Sequence, residues 1–200
     1  MNHVPTPVRY SSGLTLREAR QVYFTRSGFS ERNYGDRWGR LKAGPIILRF
    51  PNTAARVKAV RLHDLHHVLT EYETTWAGEA EIGAWEIASG CGRHYPAWVL
   101  NVSAFAIGLV IAPRRTSQAF TRGRRSRNLY HTDVRDTLLD RRVGELRHEL
   151  GLAAAGTPAT CRDTAAFLLC VGVAVILSLV PAVVAVSAAG VIVRYLRAHV

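Results

Sequence analysis

The chain has 200 residues, 48% hydrophobic and 20% charged, with a formal net charge of +11. That length holds one ordinary domain plus an appendage, and the composition excludes a disordered tail. The positive excess is nearly all arginine, Lys42 and Lys58 being the only lysines, and it suits phosphate on lipid head groups or on nucleic acid.

Residues 1–13 are polar and turn-like, without the apolar run of a secretory signal. Thr15 and Glu18 have capping-box spacing and open a helix toward Arg26. Ser27 to Gly44 is irregular and rich in glycine and arginine, and Ile46 to Phe50 is a short apolar run. Pro51 and Asn52 lead into a helix over about residues 53–73, broken at residues 74–78. A second helix starts near Glu79 and stops at Gly90 or Gly92. A third runs from Pro96 to Ala112 and is closed by Pro113; with Asn101 inside it, it is assigned to the core rather than to a membrane span. A basic stretch follows, with Arg114, Arg115, Arg122, Arg124, Arg125 and Arg127. Asp140 then caps a helix through Val143, Leu146 and Leu150, ended by Gly151.

No alternating strand pattern persists, so the expected fold class is all-α. A multi-helix domain over residues 14–153 is followed by a linker at 154–163 and a hydrophobic segment at 164–200. From Thr164 to Val193 no residue is charged, a run longer than the roughly 20 residues that cross a bilayer. Pro181 in its middle makes it one kinked membrane-inserting helix or a helical hairpin. Cys91, Cys161 and Cys170 are odd in number and form no C-x-x-C pair, which argues against a disulfide framework and for a reducing compartment.

The chemistry concentrates in His63, Asp64, Leu65, His66 and His67. On a helix, Leu62, Leu65, Val68, Leu69 and Tyr72 form a core stripe, while His63, Asp64 and His67 share the opposite side. Histidines at i and i+4 aim their nitrogens at one point, which lets a helix hold a metal ion. Asp64 can ligate directly or orient an imidazole from behind. Glu79 is the natural further ligand, just past the helix break, with Glu71 and Glu86 as rivals. His66 points about 100° away from His67 and is a poorer ligand. An H-E-x-x-H protease would need a longer general base than aspartate where Asp64 stands.

His63, Asp64 and His67, then eleven residues, then Glu79, match the H-D-x-x-H-(x11)-E metal motif, and the chain resembles the coenzyme Q (ubiquinone) biosynthesis protein 4 family. The flanks are also similar to it: residues 61–70, residues 78–83, and the closing segment Val143 to Gly151. The resemblance spans roughly residues 15–152. It implies an all-helical fold with one divalent metal, zinc or iron, held by His63, Asp64, His67 and Glu79. It further implies a peripheral membrane protein with a pocket for a prenylated lipid or quinone precursor, and contact with other quinone-biosynthesis proteins. The activity it implies is oxidative decarboxylation and hydroxylation of the quinone-precursor ring, with individual catalytic residues unassigned. The hydrophobic segment from Thr164 departs from the family pattern and suggests a bacterial branch anchored directly, at the cytoplasmic face of the inner membrane. A prenyl tail would lie along apolar helix faces near Trp98, Phe105 and Ile107.

Two other readings fit the same residues. One is a non-catalytic prenyl-lipid-binding scaffold with a structural metal. The other is an HD-type metal phosphohydrolase, which needs a further upstream histidine; His3 is distant, although Asp133, Asp136 and Asp140 lie downstream. The arginine stretch at 114–127 reads as attraction to anionic lipid, since no nucleic-acid motif accompanies it.

Overall fold

A computed structural model of the chain describes residues 9–43, 46–132, 136–152, 158–177 and 179. Parts of the expected polar N-terminal segment and linker, and most of the expected membrane-inserting segment including Pro181, lie outside the described residues.

The described chain is mostly helical, as expected. Helix α1 (Leu16–Ser27) starts at a complete Thr15–Glu18 capping box and ends at Gly28, whose φ of 72° is the left-handed conformation glycine adopts at low cost. The short α2 (Arg32–Gly35) leads into a hairpin of β1 (Trp38–Ala43) and β2 (Ile46–Pro51), paired antiparallel from Trp38 with Pro51 to Ala43 with Ile46. This hairpin corrects the sequence reading, which treated β1 as irregular. Strands of six residues are too short to establish a period against the surrounding glycines and arginines.

Helix α3 (Ala54–Thr70) is capped by the Thr53 side chain, which accepts from the Arg56 amide. The expected apolar stripe is in place, with Leu62, Leu65, Val68 and Leu69 buried. The opposite side is covered as well, because α3 touches α1, α4, α5 and a later short helix, α8. It ends three residues earlier than expected, at Glu71, which takes the left-handed conformation with φ 64°.

Helices α4 (Trp76–Ser89), α5 (Tyr95–Ile111) and α6 (Pro113–Arg124) form the main packing unit, with α4 lying on both others. Close approach depends on small residues. A Cβ on Gly108 of α5 would stand 2.5 Å from both the Ala80 Cβ of α4 and the Thr116 hydroxyl of α6. The basic stretch is therefore largely a helix, anchored by buried Thr116, Ala119 and Phe120. A 3-10 turn (Leu129–His131), then α7 (Asp136–Leu139) and α8 (Val143–Glu149), close the domain. The Val143 amide donates to the Leu14 carbonyl at 2.9 Å, tying the closing helix to the start of α1.

A further helix, α9, covers residues 161–177. Thr160 and Asp163 cap it reciprocally, and Phe167 seats it against Phe105 and Phe120 at ring separations of 5.7 and 5.4 Å. Among the described residues no helix is long and apolar enough to cross a membrane.

Candidate metal centre

α3 runs unbroken through His63 and His67, so their imidazoles lie one turn apart on one side. The nitrogens facing away from each other's ring are both engaged. His63 Nδ1 lies 2.9 Å from Glu86 Oε1, and His67 Nδ1 lies 2.9 Å from the Tyr72 carbonyl oxygen. A carbonyl and an ionised carboxylate only accept, so each Nδ1 carries a proton, and each Nε2 presents a lone pair when its ring is neutral. Those two Nε2 atoms face one another at 3.2 Å.

Glu79 completes the group. Thr75 caps α4, which puts Glu79 in the first turn, with Oε2 3.3 Å from His63 Nε2 and Oε1 3.4 Å from His67 Nε2. Two lone pairs and a carboxylate around one point repel unless a proton or a cation lies among them. Donors bonded to one ion at about 2.0–2.1 Å stand roughly 2.9–3.4 Å apart at octahedral or tetrahedral angles. The imidazole nitrogens stand 3.2 Å apart and Glu79 meets one with each of its two oxygens, so that one ligand atom from each residue lies within 4.8 Å of the others. His63, His67 and Glu79 are thus a group that could hold a metal ion. Access is one-sided. The His67 side chain is 1% exposed, while His63 at 22% and Glu79 at 36% leave an edge open to an exogenous ligand.

Glu86, a rival ligand in the sequence, sits one layer behind. It is wholly buried and accepts from four donors: His63 Nδ1, His66 Nδ1 at 2.7 Å, the Tyr130 hydroxyl at 2.8 Å and Asn101 Nδ2. Burial raises the cost of its charge, yet the adjacent His63 and His66 outweigh that and hold it well below the usual carboxylate range. Glu79 is likewise held low against burial by hydrogen bonds and charge from His63 and His67. Burial disfavours a charged His63, but Glu86 and Glu79 overcome this and raise it well above its ordinary value. His66 stays neutral, because burial lowers it and because its Nε2 accepts the Leu129 amide at 2.9 Å.

Asp64 and Glu71 lie outside the trio. Asp64 Oδ1 accepts from the Tyr23 hydroxyl at 3.1 Å, and the Tyr34 hydroxyl donates to Oδ2. Burial pushes Asp64 up and drives both tyrosines above their ordinary range. The Tyr23 ring also stacks on His67 at 5.6 Å. The Glu71 carboxylate turns away, accepting from the Tyr10 amide at 3.0 Å and pairing with Arg147 at 2.8 Å.

The arginine stretch is less open than its sequence suggests. Arg115 pairs with Glu81, and Arg124 and Arg125 both pair with Asp163. Arg127 donates to the Glu149 carbonyl at 2.9 Å. Arg122 is a strut, donating to the Thr70 and Leu152 carbonyls at 3.0 and 3.2 Å beneath the Tyr72 ring. Arg114 is exposed. Among the residues expected to line a lipid path, Phe105 is core, Ile107 is partly open, and the Trp98 indole donates to the Gly92 carbonyl.

The fold and site together define a helical protein with a candidate two-histidine, one-carboxylate centre. No protein-family model, curated protein or solved structure matches the chain. The partners that sequence reading missed are Tyr23, Tyr34, Asn101, Tyr130 and the Tyr72 carbonyl. They come from five separate places in the chain, and only the burial of Asp64, Glu86 and the imidazoles, which creates a need for partners, could have prompted a search for them.

Proposed function

We propose that this is a metal-dependent, membrane-associated protein of prenylquinone biosynthesis, acting on the ring of a quinone precursor by oxidative decarboxylation and hydroxylation. The observation that carries this reading is the convergence of His63, His67 and Glu79, at the spacing by which the sequence resembles the coenzyme Q biosynthesis protein 4 family. Two imidazoles and one carboxylate with an open edge are the donor set of non-haem iron oxygenases, and also of zinc sites that act as Lewis acids. When bound, such an ion would supply polarisation of a substrate oxygen or redox capacity. The chain's own residues then have definite tasks: Glu86 and the Tyr72 carbonyl keep both Nε2 lone pairs aimed inward, and His67 is shut from water. The exposed edge at His63 and Glu79 admits the substrate. The setting in this reading is the cytoplasmic face of a bacterial inner membrane, beside other proteins of the same biosynthetic complex.

The test combines metal analysis with lipid chemistry. Purified wild type should carry about one equivalent of zinc or iron, lost in His63→Ala/His67→Ala. A strain lacking the protein should accumulate a prenylated ring precursor that the double variant fails to clear. Equal metal in both proteins would overturn the centre. Full clearance by a metal-free double variant would replace the enzyme with a lipid-binding scaffold.

A further inference from the structure

Helix α5, expected in the core, is buried on only one side. Asn101, Phe105 and Gly108 face inward, whereas Val99 is 64% and Val110 82% exposed, with Ile107 and Ile111 also open. Its neighbour α9 repeats the pattern: Phe167 and Ala174 are packed inward while Leu168, Leu169 and Ile176 stand in solvent. The open side chains on both helices are large and apolar, in contrast to the singly scattered exposed residues that are ordinary on soluble monomers. α5 carries no charge along this surface, and α9 none beyond exposed Arg162 in its first turn, since none occurs from Tyr95 to Ala112 or from Thr164 onward to Val193.

The direction of α9 follows from its contacts. Asp163 meets Arg124 and Arg125 near the end of α6, and four residues on, Phe167 meets Phe120, one turn earlier in α6. α9 therefore runs antiparallel to α6, toward the turn that joins α5 to α6. At that turn lie Val110 and Ile111, followed directly by Arg114 and Arg115. The end of α4 that carries the candidate ligand Glu79 is nearby, because Ala80, next to it, packs on Gly108.

We infer that the open faces of α5 and α9 are a docking surface for an anionic phospholipid bilayer, with the α5–α6 turn as its deepest point. This rests on the membrane reading above and adds the face by which the protein lies on the bilayer. Three observations favour a bilayer over a second protein surface. Beyond Arg162 in the first turn of α9 the face offers no charge, as hydrocarbon requires. In sequence, α9 leads into an uncharged run that reaches Val193. Arg114 is exposed beside the turn, where acidic head groups would meet it. The helix carrying Glu79 packs on α5, so the candidate centre and the docking face share one helix pair.

The experiment uses the full chain reconstituted in phosphatidylethanolamine–phosphatidylglycerol vesicles. Exposed Cys161 and half-buried Cys170 are replaced by alanine, and an environment-sensitive fluorophore is attached at Val110→Cys, at Ile111→Cys, or at the control Glu145→Cys on α8. Lipid-borne nitroxide should quench the probes at 110 and 111 several-fold more than the control, and iodide in the buffer should quench them several-fold less. If the protein floats with the vesicles while 110 and 111 behave like 145, this inference fails and membrane association stands. If the protein does not float, both fail. Shelter from iodide without quenching from lipid would mean that a second copy or the chain's own remaining residues cover the face, and would also overturn it.

Discussion

Glu86 gives the sharpest test of how the centre is built. Its side chain is wholly buried and its two oxygens are the common acceptor for His63, His66, Tyr130 and Asn101. Replacing it with leucine would strand four buried donors at about 1–3 kcal/mol each, a sum comparable to the whole stability of a domain. Glu86→Leu is therefore expected not to fold. Glu86→Gln is the informative variant. An amide oxygen still accepts from both histidines, while Tyr130 and Asn101 reorient to meet its amino group. What disappears is the charge, roughly 1 kcal/mol at each of the four bonds, offset in part because a buried charge is no longer desolvated. A net loss near 2–3 kcal/mol should lower the melting temperature by about 5–10 °C. The metal carries the decisive signal. With a neutral partner behind it, His63 is a weaker base, and outer-shell changes of this kind cost about 10–100-fold in metal affinity. Chelator competition on folded Glu86→Gln measures this directly. Wild-type affinity in a variant that melts several degrees lower would refute the positioning role and leave Glu86 as a structural acceptor only.

Three further outcomes follow from the same contacts. His63 is raised above its ordinary 6.5, so its charged form stabilises the metal-free protein fully below that value, and the contribution is lost as pH climbs through the raised one. Glu79 and Glu86, depressed from 4.5, contribute above that value and lose it only in strong acid. The gain in melting temperature on adding zinc should accordingly grow with pH as His63 gives up its proton; a gain independent of pH would contradict lone pairs as the ligands. Arg122→Ala should cost about 2–3 kcal/mol in chemical unfolding, since it leaves the Thr70 and Leu152 carbonyls without their donor, whereas Arg114→Ala should stay within about 0.5 kcal/mol. Asp64→Asn should keep its metal within about tenfold, because both oxygens of Asp64 are already held by tyrosines; complete loss of metal would make Asp64 a direct ligand.

Where one helix face determines the outcome, the sequence was readable. The apolar period through Leu62, Leu65, Val68 and Leu69 is strong, and the opposite face of the same wheel brings His63 and His67 together. Thr15 with Glu18 likewise announced α1. Reading failed where the period is written in small or polar residues. The buried side of α6 is Thr116, Ala119, Phe120 and Gly123, with a single large apolar group among arginines, so a count of apolar residues sees only charge. α3 stops at Glu71 without a glycine to signal the left-handed turn. α5 was misjudged for a different reason. A helix that is apolar all round looks the same in sequence whether protein or lipid covers its far side, and only the packing of its neighbours shows which side remains open.

Long-range partners decide how the three carboxylates of the site divide their work. Asp64, Glu79 and Glu86 lie within two adjoining helices, and a linear reading makes each a candidate ligand. Only Glu79 faces the paired lone pairs, because it alone sits at the open end of α4 opposite His63 and His67. Glu86 lies two turns deeper on the same helix, where the only partners are donors, and it fixes the tautomer of His63. Asp64 turns toward α1 and α2, where Tyr23 and Tyr34 satisfy it, and Tyr23 in turn lies against the His67 ring. Each imidazole of the pair is thus backed by its own support, one from α4 and one from α1. With both rings held from behind, an ion or a proton would relieve the repulsion at the front.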